Sequence, residues 1–179
     1  MAESHKTWAE IQNEIVDNGA QLVTAQNIRD ALYTLAGFGG LALSAGATGI
    51  ALNSSTFVPI VPWTAADPNV SGVTADTATG RLTAAKAGLY EISYSLCLST
   101  DNATPNITLG ALVNTTDDEA ALGTERTMKL SSNTVIGCGA GSAILEMVAG
   151  DYVRLGALAS AGTPEITPVD GSLYLRRVR

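Results

Sequence analysis

Gly88-Leu89-Tyr90-Glu91-Ile92-Ser93-Tyr94-Ser95-Leu96-Cys97-Leu98 alternates without a break. Tyr90, Ile92, Tyr94, Leu96 and Leu98 fall on one side of an extended chain, and Glu91, Ser93 and Ser95 on the other. An extended chain turns successive side chains to opposite faces, so this period of two predicts one long strand with a buried face and a wet face.

Outward from that strand the same pattern recurs, at Phe57–Val61, Asn106–Asn114, Thr127–Leu130, Ser142–Val148, Tyr152–Leu158 and Ser172–Val178. Gly, Pro, Asp, Asn or Thr residues separate the runs, as turns require. No helical period lies between them to carry a crossover between parallel strands. The expectation is therefore an antiparallel sandwich or barrel from about Thr56 onward.

The first forty residues have a different texture. Thr7-Trp8-Ala9-Glu10 fits a capping box, in which the Thr hydroxyl accepts from a backbone N–H three residues on and the Glu reaches back. Trp8, Ile11 and Ile15 follow at helical spacing up to Gly19, and a second apolar stripe, Ala25, Ile28, Leu32 and Leu35, runs up to Gly37. Helices this short need a surface to bury their stripe against. That surface is either the chain's own β domain or, as the glycine-rich segment that follows favours, symmetry mates or a docking partner, and Trp8, Ile11, Ile15, Ile28, Leu32 and Leu35 are the candidate docking and assembly residues. Five glycines in the thirteen positions from Gly37 to Gly49 predict a flexible connector. The expected organisation is a helical docking segment over 1–40, a connector over 41–55 and a β head over 56–179.

Composition narrows the function. Hydrophobic residues make up 46% of the 179 and charged residues 15%, with aromatics at 5%. That is a folded chain with a small-aliphatic core, and its sparse charge suits a surface covered by neighbouring subunits. A net charge of −7 opposes nucleic acid as a partner, since phosphate binding draws on Lys and Arg. The basic cluster Arg176, Arg177 and Arg179 is expected on the polar face of the last strand. The opening residues have no secretory pattern and no apolar run is long enough for a membrane span, so synthesis in a cytoplasm is expected. On that basis Cys97 and Cys138, 41 positions apart in strand-like text, are expected as buried reduced thiols rather than a disulfide.

Catalytic devices are short of parts. His5 is the single histidine and lies among the first residues, which disfavours Ser-His-Asp and Cys-His arrangements and leaves no zinc set. Asp117-Asp118-Glu119 has neither the alternate spacing nor the glycine of a calcium loop and is expected as a solvated loop. Gly137-Cys138-Gly139-Ala140-Gly141-Ser142 lacks the Lys-Ser/Thr ending of a phosphate loop; close strand packing explains its glycines better. No enzyme and no cofactor are expected.

Thr79-Gly80-Arg81-Leu82-Thr83, followed by Ala87-Gly88-Leu89-Tyr90-Glu91-Ile92-Ser93-Tyr94, resembles the central strands of the jelly roll shared by tumour necrosis factor and the globular heads of complement subcomponent q. Gly150-Asp151-Tyr152-Val153-Arg154-Leu155 is similar to a later strand of that family, and Asp170-Gly171-Ser172-Leu173-Tyr174-Leu175 to its last. The resemblance implies a mainly β protein, an antiparallel β-sandwich jelly roll, with a short N-terminal helical anchor in front of it here. It also implies a homotrimer. Leu22-Val23-Thr24-Ala25-Gln26-Asn27-Ile28-Arg29-Asp30-Ala31-Leu32 is similar to an anchor segment of bacteriophage head-fibre, decoration and tail-associated proteins. Together the two resemblances imply a structural virion protein, a capsid decoration, cement or head-fibre protein whose partners are its own copies and a major capsid or other virion protein, with neither nucleic acid nor membrane. The alternative is a receptor-binding tip recognising a host-surface glycan or protein. Its stacking platforms would be Trp63 and Phe57, which core or interface packing explains better.

Overall fold

A computed structural model describes residues 37–44, 49–68, 71–101, 106–114, 120, 123–130 and 136–178. The compact unit Ala36–Arg179 holds all of them. Its strands are β1 (Phe38–Leu43), β2 (Ile50–Ala51), β3 (Val58–Pro59), β4 (Ala65–Ala66), β5 (Val73–Asp76), β6 (Arg81–Ala84), β7 (Gly88–Thr100), β8 (Asn106–Val113), β9 (Arg126–Lys129), β10 (Gly137–Met147), β11 (Tyr152–Ala159) and β12 (Glu165–Arg177). Among the described residues no helix is long and apolar enough to cross a membrane.

Two six-stranded sheets face each other. Sheet A runs β10-β7-β12-β1-β4, with β2 beside β12, and sheet B runs β5-β6-β11-β8-β9, with β3 beside β11. Every pairing is antiparallel. From β6 onward the chain passes back and forth between the sheets, apart from the β8–β9 neighbours, so consecutive strands build opposite walls of one sandwich. The jelly-roll expectation holds.

The register of β7 is the predicted one. Tyr90, Ile92, Leu96 and Leu98 are fully buried and Tyr94 nearly so, packed against Leu173 and Leu175 of β12 and Leu109, Val153 and Leu155 of sheet B in one hydrophobic cluster. Each such aliphatic side chain contributes roughly 1.5–3 kcal/mol when removed from water. Tyr94 carries a polar group into this core, and its hydroxyl donates to the carbonyls of Leu109 (3.2 Å) and Thr124. Burial pushes its pKa up to about 12.

Tight turns occur where their residue types require them. Gly80 (φ +67°) closes the β5–β6 turn, which the Asp76 carboxylate caps by accepting from the Thr79 hydroxyl at 2.7 Å and the Ala78 N–H at 2.9 Å. Gly150 (φ +93°) turns β10 into β11, and Asp151 accepts there from the Val148 N–H at 2.7 Å.

Two expectations are corrected. Phe38–Leu43, expected as part of a flexible connector, is strand β1: it pairs with β12 from Phe38↔Arg176 to Leu43↔Gly171 and buries Leu41 and Leu43. Its glycines let the chain lie close under other side chains; a Cβ at Gly40 would fall 2.5 Å from the Tyr174 ring. Leu52, also within the expected connector, is buried too. Cys97 and Cys138, expected as buried reduced thiols, form a disulfide, with Cys97 only half-buried and Cys138 exposed. The β7–β10 register sets them directly opposite each other, a proximity that spacing in the chain could not reveal.

Candidate assembly surface

Sheet A presents its second face away from the core, and the register assigns the side chains that tile it. Ala42, Ser172, Ser95 and Ala140 lie side by side across β1, β12, β7 and β10. The next row is Gly40, Tyr174, Ser93 and Ser142, and the one after it Phe38, Arg176, Glu91 and Ile144. Ser95 and Ser172 join hydroxyls at 3.0 Å. With nothing longer than serine in the first row, the backbone of this face is approachable by another flat surface.

Tyr174 rises from the middle of it. Its ring lies against Gly40, where any larger residue would displace it, yet the residue stays 46% exposed. A shallow groove of about 380 Å³ runs beside the ring, bordered by Phe38, Asp67, Glu91 and Arg176. Arg176 donates to Glu91 at 2.7 Å, an exposed pair worth at most about 1 kcal/mol. Its consequence is electrical: the two charges cancel each other, and Asp67 is the remaining charged side chain on the border of the groove.

Large apolar side chains ring this area. Ile144 is 63% exposed, Val178 44% and Leu89 37%, and Val148 lies open just past the end of β10. Scattered single hydrophobes are ordinary on a surface, but here they share a sheet face or its margin with an open tyrosine and small neighbours. Such a face can bind another protein surface by shape and apolar contact.

The docking residues expected from the sequence, Trp8, Ile11, Ile15, Ile28, Leu32 and Leu35, lie outside the described residues, as does the Asp117-Asp118-Glu119 loop. Trp63 and Phe57 are both buried. Trp63 belongs to the main core, while Phe57 covers Gly110 and Gly156 on the outer side of sheet B, so neither is a sugar platform. Tyr174 and Ile144 were not singled out by sequence. The signal for Tyr174 was present, because Leu173 and Leu175 claim the buried face of β12 and leave the residue between them outside. Among the described residues no three His, Cys, Asp or Glu side chains gather as a metal site would need.

No family model matches this chain, and no curated protein matches it in sequence. Solved structures match it in fold. The Eiger tumour necrosis factor of S. frugiperda superposes with a TM-score of 0.52 at 16% identity, over 80% of this chain and 94% of that one. The globular domain of the zebrafish complement 1qA protein superposes with a TM-score of 0.50 at 11% identity, over 80% of this chain and 98% of that one. At these identities the likeness is one of fold: a jelly-roll β-sandwich of the tumour necrosis factor and complement head type.

Proposed function

We propose that this chain is a non-enzymatic structural protein of a bacteriophage particle, a capsid decoration, cement or head-fibre protein. Its N-terminal segment docks on a capsid or other virion protein, and its jelly-roll head projects as a homotrimer. One observation carries the reading most directly: the outward face of sheet A is built of small side chains around Tyr174, with exposed Ile144, Leu89 and Val178 at hand. A face of this kind is suited to burial against further copies of itself, in keeping with the trimeric habit that the sequence resemblance implies. The anchor-like segment Leu22–Leu32 supports the virion half of the reading.

The cross-strand disulfide fits a product that works outside the reducing interior in which it is made. Electron microscopy of the purified particle tests the reading. Trimeric heads of this fold on the outer surface are expected, joined to it through residues 1–36. Particles that lack the protein after purification overturn it.

A further inference from the structure

The disulfide between Cys97 and Cys138 lies on the outward face of sheet A, at its margin. β10 ends that sheet, so its backbone pairs along one side only, with β7. Cys138 is exposed on the edge strand, and Cys97 is half-buried between β10 and β12. A disulfide that thiols can reach belongs to the labile class, and the sulfur first reached here is that of Cys138.

The two halves of β10 are held differently. In the second half Met147 is buried and Leu145 packs against the core. In the first, the inward positions are Gly137, Gly139 and Gly141, and Leu130, Met128 and Tyr94 fill the space where their side chains would stand. Release of this half is opposed by the cover that its backbone gives to those three residues. It is favoured by the freedom of three glycines, which lose more entropy on ordering than any other residue, and by water ready to take up the hydrogen bonds of an edge strand. The covalent bond in the middle of the segment decides the balance.

We propose that Cys97–Cys138 is a redox switch for this edge. Oxidised, it fixes residues 137–142 on β7; reduced, that half of β10 comes away while residues 143–147 and the rest of the sandwich keep their places. The co-reactant is a dithiol. One of its thiolates attacks Sγ of Cys138, forming a mixed disulfide and expelling the Cys97 sulfur as a thiolate that takes a proton from water. The second thiolate attacks the reductant's own bound sulfur, which closes the reductant into a disulfide and releases the Cys138 thiolate, so two electrons pass to the protein. In the function proposed above the edge is open during synthesis and locks on release; that consequence rests on that reading, whereas the switch itself operates on any carrier.

Amide hydrogen exchange on the full-length protein, oxidised and in dithiothreitol, tests it. In the oxidised protein the amides of residues 137–142 that bond to β7 are expected to be protected. On reduction they should exchange within about tenfold of an unstructured chain, while Met147, Leu173 and Leu175 stay protected by about a thousandfold or more. Cys97→Ser with Cys138→Ser should match the reduced form and ignore dithiothreitol, and glutathione disulfide added to the reduced parent should restore protection. Protection of residues 137–142 that survives reduction or the double substitution overturns the proposal. So does loss of protection throughout β7 and β12, which would make the bond a clamp on the whole head. With glutathione as the reductant, acid trapping and peptide mapping locate the mixed disulfide, and an adduct on Cys97 overturns Cys138 as the point of attack.

Discussion

Cys97 of β7 and Cys138 of β10 stand directly across from one another, their Cα atoms 4.0 Å apart and their sulfurs joined. The bond sits where β10 has little else to hold it. At Gly137, Gly139 and Gly141 the inward positions of this edge strand carry no side chain, and Leu130, Met128, Leu109 and Tyr94 occupy the space instead. Over this half of β10, backbone hydrogen bonds to β7 and the disulfide therefore replace the hydrophobic anchoring that Leu145 and Met147 give its other half.

Breaking that bond should be costly. Closing a loop of this length restricts the unfolded chain by roughly 2–4 kcal/mol. Cys97→Ser with Cys138→Ser, or reduction of the parent, is expected to lower the melting temperature by roughly 10 °C. Thermal denaturation with and without reductant measures it. Equal melting curves, or two titratable thiols in the native protein, would show that the clamp contributes nothing.

The two faces of β7 should respond differently to truncation. Ile92→Ala and Leu96→Ala remove buried side chains and are expected to cost about 2–5 kcal/mol each. Ser93→Ala and Ser95→Ala lie on the outer face and should stay within about 0.5 kcal/mol in an isolated head. Urea unfolding of the four variants compares them, and a larger effect at the serines would mean a register one residue out.

Tyr94 ties the head's stability to alkaline pH. Its folded pKa, about 12, lies above the ordinary value of 10 because burial disfavours the phenolate. The stabilisation it contributes is therefore complete below pH 10 and is lost as pH rises through 12. Tyr94→Phe should remove that part of the alkaline decline while costing about 1–3 kcal/mol near neutrality, since the buried Leu109 and Thr124 carbonyls lose their donor. Unfolding free energy followed over pH 8–12 in both proteins provides the check.

Tyr174→Glu and Ile144→Glu place charge on the face assigned to self-association. Both residues are open in a single copy, so the isolated fold should tolerate the change to within about 1 kcal/mol. Light scattering is expected to find a trimer for the parent and smaller species for the variants. A parent that scatters as an 18.3 kDa monomer would sink the assignment of this face.

The boundary of the head is sharper than the glycines imply. Deleting residues 1–36 should leave a folded head that no longer attaches to its particle. Deleting residues 1–43 should not leave one, because Leu41 and Leu43 are lost from the core and the β12 edge is stripped of its β1 partner. Circular dichroism and particle-binding assays separate the two outcomes.

The strands that sequence revealed are those whose evidence is local. The alternation runs unbroken through β7 and over most of β8, β11 and β12, interrupted by the buried runs Leu109–Leu112 and Leu155–Ala157 and by the register shift between Pro168 and Asp170, because a pleated strand with one buried face selects apolar residues at every second position. Gly80 and Gly150-Asp151 announced their turns for an equally local reason, a backbone shape that few residues accept. The same alternation puts Cys97 in the outward, odd-numbered set with Glu91, Ser93 and Ser95, against the expectation of a buried thiol, which rested on the residue type alone.

What only the tertiary structure decided depends on which strands became neighbours. The glycines of β1 looked like a flexible link, whereas Gly40 makes room for Tyr174, a residue 134 positions later and opposite it. The union of Cys97 with Cys138, and the meeting of Arg81 and Arg154 on the Tyr152 ring, arise from pairings between distant segments. Periodicity states which way each side chain points along its own strand. It carries no information about the partner strand or its register, and those are settled only when the two sheets close over a common core.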